Sequence, residues 1–306
     1  MALVSGIVFL DKPQGWTSRR AVNEVARLFG GSGRPRLKAG HAGTLDPLAT
    51  GMLPILLGEA TRFAELGLSA EKTYAVTIDL SYQTDTLDAE GETLVRFDDP
   101  PSLAQVQAAL ERFRGGYAQV PPQYSALRVE GRRAHALARR GEHVELAARQ
   151  VQILALELVS YDWPKLALTV RCSKGTYIRA LARDIGEVLG CGGCVVALRR
   201  LSTGGWPATM MVTPEQLIEA PVSALVPIAT WLRGLPVVRL DEAFSRRFLQ
   251  GQRLPMGSDI PVSAGLVAVE GDGILLGTAE LQPGEGGCSV LHPGRLLPSA
   301  QQHYLR

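Results

Sequence analysis

Four cysteines in 306 residues are too few to staple a chain of this size, so a disulfide scaffold is excluded. Two of them, Cys191 and Cys194, bracket Gly192-Gly193 at a zinc-like spacing, but no second pair follows and the five histidines are scattered. A structural zinc needs four nitrogen or sulfur ligands, so this segment reads as a tight glycine turn with incidental thiols, and no metal site is expected. Long apolar runs are also missing: no stretch could span a bilayer, and no membrane association is expected. Met1 to Leu10 has no basic residues ahead of its apolar ones, and Asp11-Lys12-Pro13 closes it early. It reads as a first buried strand, Ile7 to Leu10, rather than a secretory leader, and the expected compartment is the cytoplasm. Residues 30–40 form a glycine-rich basic loop without the Gly-Lys-Ser/Thr ending of a phosphate-binding loop, which excludes a nucleoside triphosphatase. The net charge of +2 is too small to name a partner by itself.

Local charge says more. Arg34, Arg36 and Lys38 share the glycine-rich loop, and Arg128, Arg132, Arg133, Arg139, Arg140 and Arg149 crowd one segment. Arg199-Arg200 and the trio Arg246, Arg247 and Arg253 follow. Such clusters can neutralise backbone phosphates or can simply be solvated helix faces. At this length two domains are the default. Ala21 to Phe29 carries apolar residues at helical spacing, Tyr74 to Leu80 alternates as a strand, and Pro100-Pro101-Ser102 opens a helix stopped at Gly115-Gly116. Val151–Tyr161 and Leu166–Cys172 read as a strand pair; Thr176 is positioned to cap a helix running to Leu189. From about Leu235 the texture changes to short strand-like runs separated by glycine and proline, the mark of a small β module.

The most informative run is Gly40-His41-Ala42-Gly43-Thr44-Leu45-Asp46-Pro47-Leu48-Ala49-Thr50-Gly51. Asp46 precedes a proline, which pushes it toward extended backbone, and lies between two glycines that let the chain bend or approach a ligand closely. That reads as a stiffly presented acid. The competing reading is an ordinary helix start, with Asp46 as N-cap, Pro47 in the first turn and Leu48, Met52 and Leu53 buried; Gly51 and Pro54 interrupt such a helix. Arg179 falls in the first turn of its helix, where a cation opposes the helix dipole. That placement suggests a carboxylate elsewhere, and nearby Asp184 is the plain alternative. Tyr74 is half-buried packing or an aromatic face for a ligand, and Leu198 is a core leucine or a pocket wall.

The run from Gly40 through Phe63 resembles the catalytic signature of the bacterial TruB-type tRNA pseudouridine-55 synthases. Lys72-Thr73-Tyr74, Gln83 to Gly91, Pro121 to Arg128 and Cys172 to Arg179 resemble the same family in the same order and span most of the first 200 residues. The resemblance implies an α+β fold: a mixed-sheet pseudouridine synthase core over residues 1–234, and a small C-terminal β-barrel, a PUA-like RNA-binding domain, over 235–306. It implies isomerisation of the T-loop uridine at tRNA position 55, with an added role in tRNA folding. No cofactor, metal or obligate protein partner is implied, and a monomer is expected. Asp46 is then the catalytic aspartate, Arg179 its partner and Tyr74 an active-site residue, with Leu198 completing a sandwich around the base. His41 would fill the space left by a flipped nucleotide, and Lys12 would be a basic substrate-binding residue. Thr84, Asp85 and Asp88 would shape a loop beside the cleft. The rival is a non-catalytic RNA-binding protein or RNA chaperone on the same scaffold.

Overall fold

The computed structural model describes residues 4–30, 37–125, 128–129, 132–133, 145–257, 263–284 and 288–305. Arg34, Arg36, Arg139 and Arg140, and Ala126-Leu127 of the Pro121–Arg128 run, lie outside the described residues. The first sheet is built from β1 (Gly6–Lys12), β2 (Ala39–His41), β3 (Thr50–Leu57), β4 (Lys72–Asp79), β7 (Gly115–Gln119), β10 (Arg149–Asp162), β11 (Lys165–Cys172) and β12 (Cys194–Thr203). Two short ladders, β5 (Tyr82–Thr84) with β6 (Thr93–Arg96) and β8 (Arg128–Val129) with β9 (Arg132–Arg133), stand apart from it. The strand order is β1-β3-β12-β4-β11-β10-β7, with β2 added to β3. Among the described residues only the β3–β12 pairing of this sheet is parallel, so the sheet is mixed, as expected.

Strands buried on both faces read as unbroken apolar runs, and β1 and β3 show what that means. Val8, Leu10, Leu53, Ile55 and Leu57 face a core shared with Ala21, Val22 and Val25 of the Ser18–Gly30 helix and Leu181 and Ile185 of the Ile178–Leu189 helix. Ile7, Phe9, Met52 and Leu56 alternate with them and face a second core on the other side. Thr176 does not cap the helix at Ile178: its Oγ1 donates to the Ser173 carbonyl at 3.0 Å, and Tyr177 occupies the cap position without a side-chain bond. The local competition between side chain and backbone was resolved in favour of the turn.

The second core is completed by the C-terminal part: β13 (Val237–Leu240), β14 (Leu254–Met256), β15 (Gly265–Gly271), β16 (Ile274–Pro283) and β17 (Ser289–Leu296), ordered β13-β15-β16-β17-β14. The Glu242–Leu249 helix, capped by the Asp241 carboxylate, and the Pro298–Tyr304 helix pack on this sheet. Phe248, Val267, Leu281 and Leu291 thus share one apolar cluster with Phe9, Met52, Trp206 and Trp231. At the junction the Trp206 and Trp231 rings stack 6.0 Å apart, and Arg233 lies 3.8 Å over Trp206. Among the described residues no helix is long and apolar enough to cross a membrane.

Candidate active site

The Asp46 loop is not a helix. It leads directly into β3, which runs as a strand through Gly51 and Pro54. Its shape is imposed by ties on both sides of the acid. Ser18 Oγ accepts from the Leu45 N–H at 2.8 Å and donates to the Leu45 carbonyl at 2.9 Å. The Gly15 N–H donates to the Pro47 carbonyl at 2.8 Å. Lys12, fully buried, directs Nζ to the carbonyls of Trp16 at 2.7 Å, Pro13 at 3.0 Å and Pro47 at 3.4 Å. Arg200 holds the carbonyls of Gly43 at 3.0 Å and Thr44 at 3.4 Å from the other end. Gly51, at φ 93°, has to be glycine because a Cβ there would stand 2.3 Å from the Arg200 carbonyl oxygen.

Asp46 is thereby held against Arg179. Nε and Nη2 of Arg179 approach the same carboxylate oxygen, Oδ2, at 2.9 and 2.8 Å. The guanidinium also donates to the carbonyls of Thr86 at 2.8 Å and Tyr124 at 2.9 Å, and Nη1 lies 3.5 Å from Asp88 Oδ2. Its side chain is 7% exposed while that of Asp46 is 39% exposed, so the arginine is a fixed buried anchor and the acid faces outward from it. The alternative partner, Asp184, is taken by Arg183 at 2.6 Å. Gln119, also buried, fixes the start of the arginine's helix: its Oε1 accepts from the Tyr177 N–H at 2.8 Å and its Nε2 donates to the Tyr177 carbonyl at 3.1 Å.

Asp46 and Arg179 border a pocket of about 330 Å³ whose walls include Gly43, Thr44, Tyr74, Leu198, Lys72 and Arg200. Tyr74 and Leu198 come from adjacent antiparallel strands; Arg200 faces Tyr74 and Leu198 faces Val76 in the register. Directly opposed residues in a sheet share a face, which brings Tyr74, Leu198 and Arg200 into one wall. Burial pushes the Tyr74 phenol up, and the Arg200 guanidinium against its hydroxyl works in the opposite direction.

Lys12 and His41 lie beside the pocket. Lys12 is outside its lining, and its ammonium is engaged by backbone carbonyls, so it supports the loop. Burial lowers it to about 8, against the field of Asp46. His41 ends β2 beside the loop, also outside the lining; its Nδ1 accepts from the Gly43 N–H at 3.4 Å. Burial, then the charges of Arg200 and Arg19, lower its pKa and favour the neutral ring. Arg199 and Arg200, open to reading as phosphate contacts or as a solvated face, are both engaged within the fold. Arg199 forms a two-point ion pair with Asp11 at 2.9 and 2.7 Å, and Arg200 is 1% exposed. Asp85 and Asp88 cap turns as expected, accepting from the N–H groups of Glu92 and Glu90. Asp88 additionally reaches the arginine. The glycines between Cys191 and Cys194 serve close backbone approach: a Cβ on Gly192 would stand 2.3 Å from the Tyr82 carbonyl oxygen.

Ser18, Gln119 and Lys72 were not foreseen as parts of the site. Lys72 lines the pocket and directs Nζ to the carbonyls of Ala70 at 2.6 Å, Gly67 at 2.8 Å and Leu68 at 2.9 Å. The doublet Lys72–Tyr74 at strand spacing was the available signal.

Solved structures bear out the fold: the chain superposes with a TM-score of 0.70 on an H/ACA ribonucleoprotein bound to a substrate RNA containing 2′-deoxyuridine, at 22% identity over 96% of this chain and 85% of that one. For a Cbf5-Nop10-Gar1 complex the values are 0.67, 24%, 90% and 78%. Residues 32–178 match the model of the TruB family pseudouridylate synthase N-terminal domain. Residues 179–232 match a tRNA pseudouridylate synthase B C-terminal domain, and residues 236–297 a pseudouridine synthase II TruB C-terminal domain. The tRNA pseudouridine synthase B of Ralstonia pickettii (strain 12J) is 44% identical, covering 96% of this chain and 94% of its own. That of Chromohalobacter salexigens is 41% identical, covering 97% and 95%. The chain belongs to the TruB family of pseudouridylate synthases.

Proposed function

We infer that this protein isomerises uridine to pseudouridine in tRNA, at position 55 of the T-loop, with Asp46 as the catalytic aspartate. The observation that carries this reading is the one-sided grip of Arg179. Both of its bonds to Asp46 converge on Oδ2, which orients the carboxylate and leaves Oδ1 for the sugar of a nucleotide in the pocket. Carboxylates beside a glycosidic bond act as nucleophile or stabilise positive character at the anomeric carbon. The uridine leaves its stack, an extrusion costing a few kcal/mol, and is received between Tyr74 and Leu198, with the neutral His41 ring taking its vacated place. Stacking on Tyr74 offsets about 1–3 kcal/mol of that cost. The C-terminal sheet, residues 235–306, adds affinity for tRNA and a contribution to tRNA folding. The protein works as a monomer in the cytoplasm, without an obligate protein partner. The test is single-turnover reaction with a T-arm hairpin, read by a pseudouridine-specific chemical adduct. Conversion of the one loop uridine is expected; binding or refolding of the hairpin without conversion would overturn the assignment.

A further inference from the structure

Among the described residues Arg200 has no carboxylate partner for its charge. It is 1% exposed, and an arginine cannot shed its proton to ease burial as a lysine can. Buried arginines are normally paired with a carboxylate because an isolated buried ion is expensive. Here the guanidinium reaches three backbone carbonyls, Met52 at 2.6 Å, Gly43 at 3.0 Å and Thr44 at 3.4 Å. No described carboxylate forms an ion pair with it; Asp46 and Asp88 turn to Arg179, and Asp11 turns to Arg199. Carbonyl dipoles satisfy donors without cancelling a full charge. The remaining cationic face borders the pocket against the Tyr74 hydroxyl, with Lys72 beside it. This wall is therefore built to receive negative charge that is absent at rest.

We propose that Arg200 is a further catalytic residue, which holds the uracil ring while it is detached and carries the negative charge left on it. The proposal rests on the isomerisation reading above. When the N1–C1′ bond breaks, its electron pair goes to N1, and the charge spreads over N1, O2 and O4. Positive character at C1′ is met by Asp46. C5 then gives an electron pair to C1′, and the proton that C5 loses is balanced by the one N1 gains. Charge that appears only during reaction is best stabilised by a group fixed beforehand in a water-poor site. Lys72, whose ammonium is already engaged by three carbonyls, assists through its field.

A merely structural role, clamping the Gly43–Thr44 backbone, makes a different prediction. The discriminating substrate is a T-arm hairpin with 5-fluorouridine at the target position, because fluorine withdraws electrons and makes the ring a better anion by itself. Consumption of the target nucleoside is measured in single turnover by chromatography of nuclease digests, for wild type, R200M and R200K, alongside hairpin binding and thermal melts. We expect R200M to bind the hairpin within about threefold of wild type and to lose about 10²–10³-fold in rate on uridine. Its loss on 5-fluorouridine should be at least tenfold smaller. R200K, charged but shorter and without the fork, should fall between them. An equal loss on both substrates, or a near-normal rate, overturns the proposal. If R200M does not melt cooperatively, the same ratio is read from R200K, where a substrate-independent loss has the same meaning. Failure of the wild type to convert uridine would instead overturn the isomerisation reading, separately from Arg200.

Discussion

The two sheets share an apolar core but place their cations differently. In the part built on the eight-stranded sheet Lys12, Lys72, Arg200 and the helical Arg179 are all buried, each anchored to backbone carbonyls, and three of them line one pocket. In the five-stranded part Arg239, Arg246, Arg247 and Arg253 are exposed. There Arg246 pairs with Glu242 one helical turn away at 2.8 Å, and Arg247 lies over the Phe244 ring at 5.3 Å. Burying a cation without an acid is costly, and backbone carbonyls offset that cost here. An exposed cation contributes little to stability but attracts phosphates at long range. On the function proposed above, the first set would serve chemistry and the second would hold RNA.

The comparison breaks most visibly at Asp46. Asp46→Asn keeps the shape and removes the charge, so turnover should fall by several orders of magnitude while the hairpin dissociation constant stays put, as for an interaction made only in the transition state. Near-normal turnover would remove Asp46 from the mechanism. Arg179→Met should cost about 3 kcal/mol of stability, the low end for a broken buried pair because Asp46 is itself half exposed. Chemical denaturation of the single variants and of the double variant with Asp46→Asn measures it; strict additivity would mean the pair is not coupled.

Smaller effects sharpen the other side. Replacing Arg246, Arg247 and Arg253 together by glutamine should leave hairpin turnover unchanged, weaken full-length tRNA binding and make its salt dependence shallower. Equal slopes for variant and wild type would assign the C-terminal sheet another role. The smallest effect is on pH. Burial holds Lys12 and Lys72 at about 8, below the ordinary 10.5, so the unfolded chain binds more protons between those values and stability rises with pH. Asp46, Glu90 and Arg200 act on Lys12; Arg200, Cys172, Lys174 and Glu65 act on Lys72. Above pH 9 the thiols of Cys172 and Cys191, raised to about 11 by burial, bind more protons in the folded chain and offset that rise. A rise between about pH 8 and 9 that flattens beyond it is the expected trace in urea titrations; a falling curve from pH 8 would contradict the buried lysines.

Much of this was legible in the chain. Tyr74 to Leu80 alternates as a strand, Leu166–Cys172 reads as one of a strand pair, and the Gly43–Gly51 frame around Asp46-Pro47 marks a presented acid. The clamps were not legible, because Ser18–Leu45, Gln119–Tyr177 and Arg200–Gly43 depend on strand register and packing between distant segments. Arg199 and Arg200 look alike in sequence, yet neighbouring strand residues face opposite ways; one meets Asp11 and the other enters the pocket. Residues 298–304 were missed as a helix because Pro-Ser-Ala-Gln-Gln-His-Tyr offers little apolar period, and its stability comes from Ala300 and Tyr304 packing on the C-terminal core.

The order of the strands also sets when the molecule can begin to work. Asp46 and Arg179 are 133 residues apart, and Arg200 and Gly43 are 157 apart. While the chain is being synthesised, β3 lies beside β1 and β2 with its edge open at Thr50-Gly51, since its parallel neighbour β12 comes almost 150 residues later. Long-range pairing of this kind closes slowly, and an open strand edge invites the wrong partner in the meantime. The nascent chain therefore holds its acid without the arginine that orients it, and the site comes into being only when β12 slides between β3 and β4.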